Sequence, residues 1–192
     1  MIYMRIHEQD SLEGIYVTDW QGVIIMPTIL VDYENVQGST GSKGTDVLCR
    51  DDTLIIFYSK NCGKIRYDYM QEIKESGCEF RVIKLKGTGK NALDFYIAAE
   101  CGIISERGEN EIAIISNDKG FQAVIDFFGA DQNANQIQIV KAGNIENALT
   151  LFHAPEDAER RKKIQNRKLL LDLSAESARI EESNRIKKEL KN

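Results

Sequence analysis

What most constrains this chain is a regular alternation of short apolar, β-branched runs with longer stretches of helical spacing. The first run, Ile29 to Val31, leads straight into Asp32, after which Tyr33, Glu34 and Asn35 turn the chain polar. An apolar run this short reads as a buried strand rather than a helix. Four more runs follow, over residues 53–59, 79–85, 111–116 and 136–140, the last placed at a sheet edge. Between them, residues 63–76, 91–105 and 121–128 carry helical spacing, with Tyr69 and Ile73, and Leu93, Ile97 and Cys101, recurring at i and i+4. Gly77 and Gly102 read as helix ends. Such alternation builds βαβ units, so the predicted fold is α/β, with a mainly parallel five-stranded sheet covered on both faces.

Length and composition divide the chain. One domain plus an appendage is expected from 192 residues, and the 42% hydrophobic and 29% charged content is that of a soluble globular protein. No run is long enough for a membrane helix and no cleavable signal is visible. Cys49, Cys62, Cys78 and Cys101 form no Cys-x-x-Cys pair, so neither zinc nor a disulfide framework is indicated, and reduced thiols in a cytoplasmic protein are expected. His7 and His153 are the only histidines, which leaves little material for histidine-based catalysis.

Residues 1–25 read as an extension, with short strands at most at 15–17 and 23–26, and Met26 as the natural start of the domain that runs from 26 to 154. Residues 38–44, GSTGSKG, read as a mobile lip beside the opening motif. Residues 155–192 contain no glycine and read as one charged helix with a weak apolar stripe through Ile164, Leu171 and Ala178. Its heptad is too poor for a coiled coil. It is expected to lie against the domain or to carry a homo-oligomer or protein partner, and to be removable without unfolding the rest.

The net charge of −5 is unevenly placed: residues 1–154 hold 22 acidic and 14 basic side chains, and residues 155–192 hold 8 and 11. An acidic body argues against binding nucleic acid by bulk electrostatics. It is compatible with a carboxylate cluster offset by a bound divalent metal.

Three aspartates suggest where that cluster lies. Asp32 ends the first strand, Asp118 follows the fourth within Ser116-Asn117-Asp118, and Asp94 falls in the first turn of a helix that Asn91 can cap. Each has a purely structural alternative. Asp32 can close a turn, Asn117 or Asp118 can cap a helix, and Asp94 can bond back to the cap's own amide. In a parallel sheet, however, each helix starts where the preceding strand ends, so all three share one edge. With strand order 3-2-1-4-5, Asp32 and Asp118 flank the switch-point crevice. Three converging carboxylates repel one another without a metal, and an oxygen-only donor set favours Mg²⁺ or Mn²⁺.

The pieces VDYENV, KNALDFYIAAECG and IISNDKGF, in that order within roughly residues 27–140, resemble the PIN-like nuclease superfamily, close to its NYN-type branch. The resemblance implies a three-layer PIN-like (Rossmannoid) fold with metal ligands at Asp32, Asp94 and Asp118. Asn35, Ser116 and Asn117 become supporting polar groups. It implies metal-dependent hydrolysis of phosphodiesters, usually in RNA; attack by water needs no ribose hydroxyl, so single-stranded DNA stays open. Many relatives carry a fourth acid just after the third aspartate, where this chain has Lys119 and Gly120, so Glu34 and Asp126 are the possible extra acids. Glu100, six residues beyond Asp94, points to another face.

Lys60, Lys84, Lys86, Lys90 and Lys119, with Lys64 and Arg66, lie near the same edge and could hold phosphates, or form a solvated basic rim. Tyr33 could stack a base, while Phe121 reads as core. Two other readings remain. One is an inactive PIN-like module that binds RNA or protein; the other is a dinucleotide-binding domain through Gly87-x-Gly89-x-x-Ala92, which sits between a strand and a helix but after the third strand rather than the first.

Overall fold

A computed structural model describes residues 27–36, 42–87, 89–108, 111–130, 137–153 and 158–189. The strands expected at 15–17 and 23–26, and most of the lip at 38–44, lie outside these residues. Five strands, β1 (Thr28–Asp32), β2 (Thr53–Tyr58), β3 (Glu79–Lys84), β4 (Glu111–Ile115) and β5 (Gln138–Ala142), form one sheet in the order β3-β2-β1-β4-β5. Every pairing is parallel. The α/β reading, the strand order and the neighbouring placement of β1 and β4 all hold.

Continuous apolar runs are what a parallel sheet covered on both faces requires. β1 and β4 are buried along their whole length. Alternate residues feed two cores. Ile29, Val31, Leu54, Ile56, Ala113 and Ile115 face α1 (Tyr67–Ser76), α4 (Ile145–Leu149) and the start of α5 (Ala158–Glu189). Leu30, Ile55, Phe57, Ile112 and Ile114 face α2 (Ala92–Glu106) and α3 (Gln122–Ala130). β3 is an edge strand, and Glu79, Arg81 and Lys84 are exposed along it, charges that discourage edge pairing.

Several boundaries differ from expectation. β5 begins at Gln138, because its register with β4 runs from Glu111↔Gln138 to Ile115↔Ala142. α1 starts at Tyr67 rather than residue 63, since Lys60 to Gly63 close a turn of their own. It ends at Gly77, whose φ of 75° suits glycine. Gly102 is not a helix end: α2 runs through it to Glu106, because Cys101 and Ile104 on either side are held in the core. α4 was not foreseen, as its five residues are too few to show a period.

The C-terminal helix is more than an appendage. Ile164 is fully buried in the first core. Arg160 pairs with the buried Asp52 at 2.8 Å, and Arg167 with the buried Glu146 at 2.9 Å. Beyond Lys168 the helix leaves the body, and Leu169, Leu170, Leu171 and Leu173 are exposed.

Glu146 is also gripped from the other side. Its backbone N–H donates to the carbonyl of Lys43 at 3.0 Å, and the Lys43 ammonium lies 3.4 Å from its carboxylate. The chain can pass there because Gly44 has a φ of 104° and a Cβ at that position would collide with the Glu146 backbone. Gly44→Ala is therefore expected to cost about 2 kcal/mol or more, combining a strained dihedral with a steric clash. The urea midpoint should fall at constant m-value; an unmoved midpoint would mean that this loop is not held against α4.

Candidate functional site

Asp32, Asp94 and Asp118 line one cleft at the carboxyl edge of the sheet, a cavity of about 240 Å³. Glu34, Asn35, Ser59, Asn61, Gly87, Gly89 and Asn91 complete its polar wall. Three elements meet there because β1, β4 and the loop after β3 all end at the same edge.

Asp32 stands one residue beyond the last β1–β4 pair, Val31↔Ile115, which sets it beside Ser116. The Ser116 hydroxyl donates to its Oδ2 at 2.7 Å, and Asn35 donates Nδ2 to the same oxygen at 2.6 Å. Burial pushes the Asp32 carboxyl above the usual range, while these two hydrogen bonds work in the opposite direction. Asn117 ties the two strand ends together, donating Nδ2 to the Asn35 carbonyl at 3.0 Å. Asn35, Ser116 and Asn117 are thus the polar framework that holds Asp32 and the turn after β4.

Asp118 accepts from the Gly120 amide at 2.7 Å and caps the short 3-10 turn Lys119–Phe121. Its capping role and its place in the cleft coexist, since a carboxylate has a second oxygen. Asp94 occupies the first turn of α2, where the helix dipole favours a negative charge. The expected capping box is absent. Asn91 precedes the helix in a left-handed conformation, φ 62°, and its side chain makes no capping bond. Burial raises the Asp94 pKa, and the charges of Asp118 and then Asp32 push it further up. Among the described residues none of the three aspartates forms an ion pair.

The two possible extra acids separate. Glu34 lines the cleft, its Oε1 accepting from the Ser59 amide at 2.8 Å and from the Ser59 hydroxyl. Asp126 does not; it is exposed on α3 and accepts from Gln122 at 2.9 Å. Glu100 pairs with Arg81 at 2.7 Å, on another side of α2 as expected. Ser59 and Asn61 were missed, although Ser59 follows β2 as Asp32 ends β1 and so carried the same signal.

Lys60, Lys84, Lys86, Lys90 and Lys119 are all exposed and stand outside the cleft wall, as do Lys64 and Arg66. Lys84 lies over the Tyr58 ring, 5.7 Å from its centroid. Tyr33 is no base-stacking platform. It is buried, stacked on Tyr69 at 5.7 Å, and its hydroxyl accepts from the Arg66 amide at 2.9 Å. Phe121 is core. Gly87 and Gly89 line the cleft, but their loop follows the edge strand β3, whereas a dinucleotide fold carries its glycines in the turn after its first strand.

The donor set suits a hard divalent cation, being made of carboxylate and amide or hydroxyl oxygens. Among the described residues no three His, Cys, Asp or Glu side chains already stand together as a ready metal cage. No helix among them is long and apolar enough to cross a membrane.

No curated protein and no solved structure matches this sequence. A family model, that of the PIN domain, matches residues 26–134. That span is more than half of the chain and contains all three aspartates, and the chain belongs to the PIN domain family.

Proposed function

We propose that this protein is a metal-dependent nuclease of the NYN type that hydrolyses phosphodiester bonds in RNA, with single-stranded DNA as a second possible substrate. PIN domains are generally metal-dependent nucleases, and membership supports a nuclease-type or RNA-related role. One observation carries the reading: three carboxylates from separate elements share a cleft, the charges of Asp118 and Asp32 push the Asp94 pKa up, and among the described residues no cation pairs with them. Such a set needs an external positive charge.

Asp32, Asp94 and Asp118 would hold Mg²⁺ or Mn²⁺, with Glu34 as the added acid. When bound, the metal supplies the Lewis acidity that in-line hydrolysis requires. Asn35 and Ser116 keep the Asp32 carboxylate in one orientation, and Asn117 holds the β1 and β4 ends together. Lys60, Lys84, Lys86, Lys90 and Lys119 form a basic rim that can bind phosphates flanking the cleaved bond. Residues 26–154 form the catalytic domain in this proposal, and the protein works in the cytoplasm.

Lys119 and Gly120, standing where many relatives carry a fourth acid, support a second reading, a non-catalytic PIN-like module that binds RNA or protein. A single assay separates the readings. Labelled RNA and DNA are incubated with and without Mn²⁺, and binding of a nicotinamide dinucleotide is measured in parallel. Cleavage only with metal is expected. RNA binding without cleavage at any metal concentration would favour the module, and dinucleotide binding would favour the third reading.

A further inference from the structure

Lys141 differs from the other lysines of this chain. It lies on β5 two residues after Ile139, on the same face of the strand. Ile139 packs in the core beneath α2 and α3, so the lysine stem must carry its ammonium past that core toward the sheet edge. Among the described side chains, Lys141 and Lys168 are the lysines that are half-buried rather than exposed. Lys168 lies 3.9 Å from the Glu146 carboxylate. Lys141 forms no ion pair among the described residues. There its Nζ donates to the Ser116 carbonyl alone, at 3.3 Å. An ammonium has three donors, so two are left for something else.

Register sets its place. Leu30, Ile114 and Ile139 lie on the α2 and α3 face of three neighbouring strands. Two residues further along the chain, on that same face, come Asp32, Ser116 and Lys141. Ser116 joins them: its hydroxyl donates to Asp32 at 2.7 Å and its carbonyl accepts from Lys141. Lys141 stands outside the cleft wall, one strand beyond β4. Lys60, Lys84, Lys86 and Lys90 belong to the ends of β2 and β3. Along the order β3-β2-β1-β4-β5, those lysines and Lys141 therefore lie on opposite sides of the aspartates.

We infer that Lys141 binds a backbone phosphate of the nucleic-acid substrate on the β5 side of the cleft, an inference that rests on the nuclease reading above. A strand laid across the carboxyl edge from β3 to β5 meets the exposed lysines first, the aspartates next and Lys141 last. Phosphates on both sides of the cleaved bond are then held, one side by solvated lysines and the other by an ammonium fixed against Ser116. A half-buried ammonium is screened less than an exposed one, so its attraction for a phosphate is the stronger. Such a contact sets the register of the strand over the cleft, because phosphate contacts position a nucleic acid without reading its sequence.

Fluorescence anisotropy of the full chain with a labelled oligouridylate of about 12 nucleotides tests this, with Ca²⁺ in place of Mn²⁺. The logarithm of the binding constant is followed against the logarithm of salt concentration. Each phosphate contact on a single strand contributes about 0.7 to the slope. Lys141→Met should therefore flatten the slope by about 0.7 and weaken binding at low salt at least about threefold. Lys141→Arg should keep the wild-type slope, since a guanidinium also binds phosphate. Lys187→Met, on the exposed part of α5, should change neither quantity. The urea midpoint of Lys141→Met should hold or rise, because methionine removes a charge from a half-buried place. A wild-type slope for Lys141→Met overturns the inference and leaves the nuclease reading standing. A lowered midpoint with that same slope would make Lys141 a strut for Ser116, which overturns it too. A wild type that binds no RNA at any salt concentration overturns the inference and the nuclease reading together.

Discussion

Asp118→Asn is expected to lower metal-dependent cleavage about 100-fold, the equivalent of about 3 kcal/mol in the transition state, with no loss of fold. Asparagine keeps the shape of the side chain and can accept from the Gly120 amide as aspartate does. The two residues are about equally good caps. If capping were its whole role, nothing would change. In the cleft, however, the substitution removes one of the charges that push the Asp94 pKa upward. Removing a like charge relieves repulsion, so metal-free stability should hold or rise while Mn²⁺ affinity falls. Calorimetric Mn²⁺ titration, urea denaturation and the cleavage rate together separate the roles. Wild-type cleavage by Asp118→Asn would remove this residue from the mechanism, and with it most of the case for an enzyme.

The second large effect concerns stability. Ending the chain before Ala158 strips the buried Asp52 and Glu146 of Arg160 and Arg167 and uncovers the core around Ile164. Breaking a buried pair by removing one partner typically costs about 3–5 kcal/mol, because the remaining charge stays buried. Asp52 keeps the Cys49 amide at 2.7 Å and Glu146 keeps Lys43 at 3.4 Å, so the loss is partly cushioned. A net loss of about 5 kcal/mol is expected, a large share of the usual stability of a domain. Ending the chain after Lys168 should cost less than about 1 kcal/mol, since residues 169–187 face solvent. Urea midpoints of the two truncations against the full chain make the comparison. Equal midpoints for all three would show that the arginine pairs contribute nothing to stability. The sequence alone suggests instead that the whole helix is dispensable, because one buried isoleucine and two arginines leave no mark in a heptad count.

Much of the fold was legible because its signals are local. The runs around Ile29–Val31, Leu54–Phe57 and Ile112–Ile115 are apolar on both faces, as only a covered parallel sheet requires. Strand–helix alternation and the handedness of crossovers then limit the possible orders, and the observed order is the one expected. The shared edge of Asp32, Asp94 and Asp118 follows from the same rule, since strand ends and helix starts coincide. By itself, then, the sequence determined the fold class, the strand order's leading candidate and the three aspartates of the cleft.

Only the tertiary structure decided matters that depend on which distant side chains meet. Glu34 and Asp126 are equivalent as letters, yet Ser59 draws one into the cleft while Gln122 holds the other on an exposed helix face. Tyr33 sits beside Asp32 in sequence but turns inward to stack on Tyr69. The start of α5 joins the core because two buried carboxylates, 94 residues apart in the chain, each wait for an arginine from it. Periodicity records how a residue relates to its own helix or strand. Pairing across the sheet edge, and charge balance in a buried space, are set by long-range contacts that no local window contains.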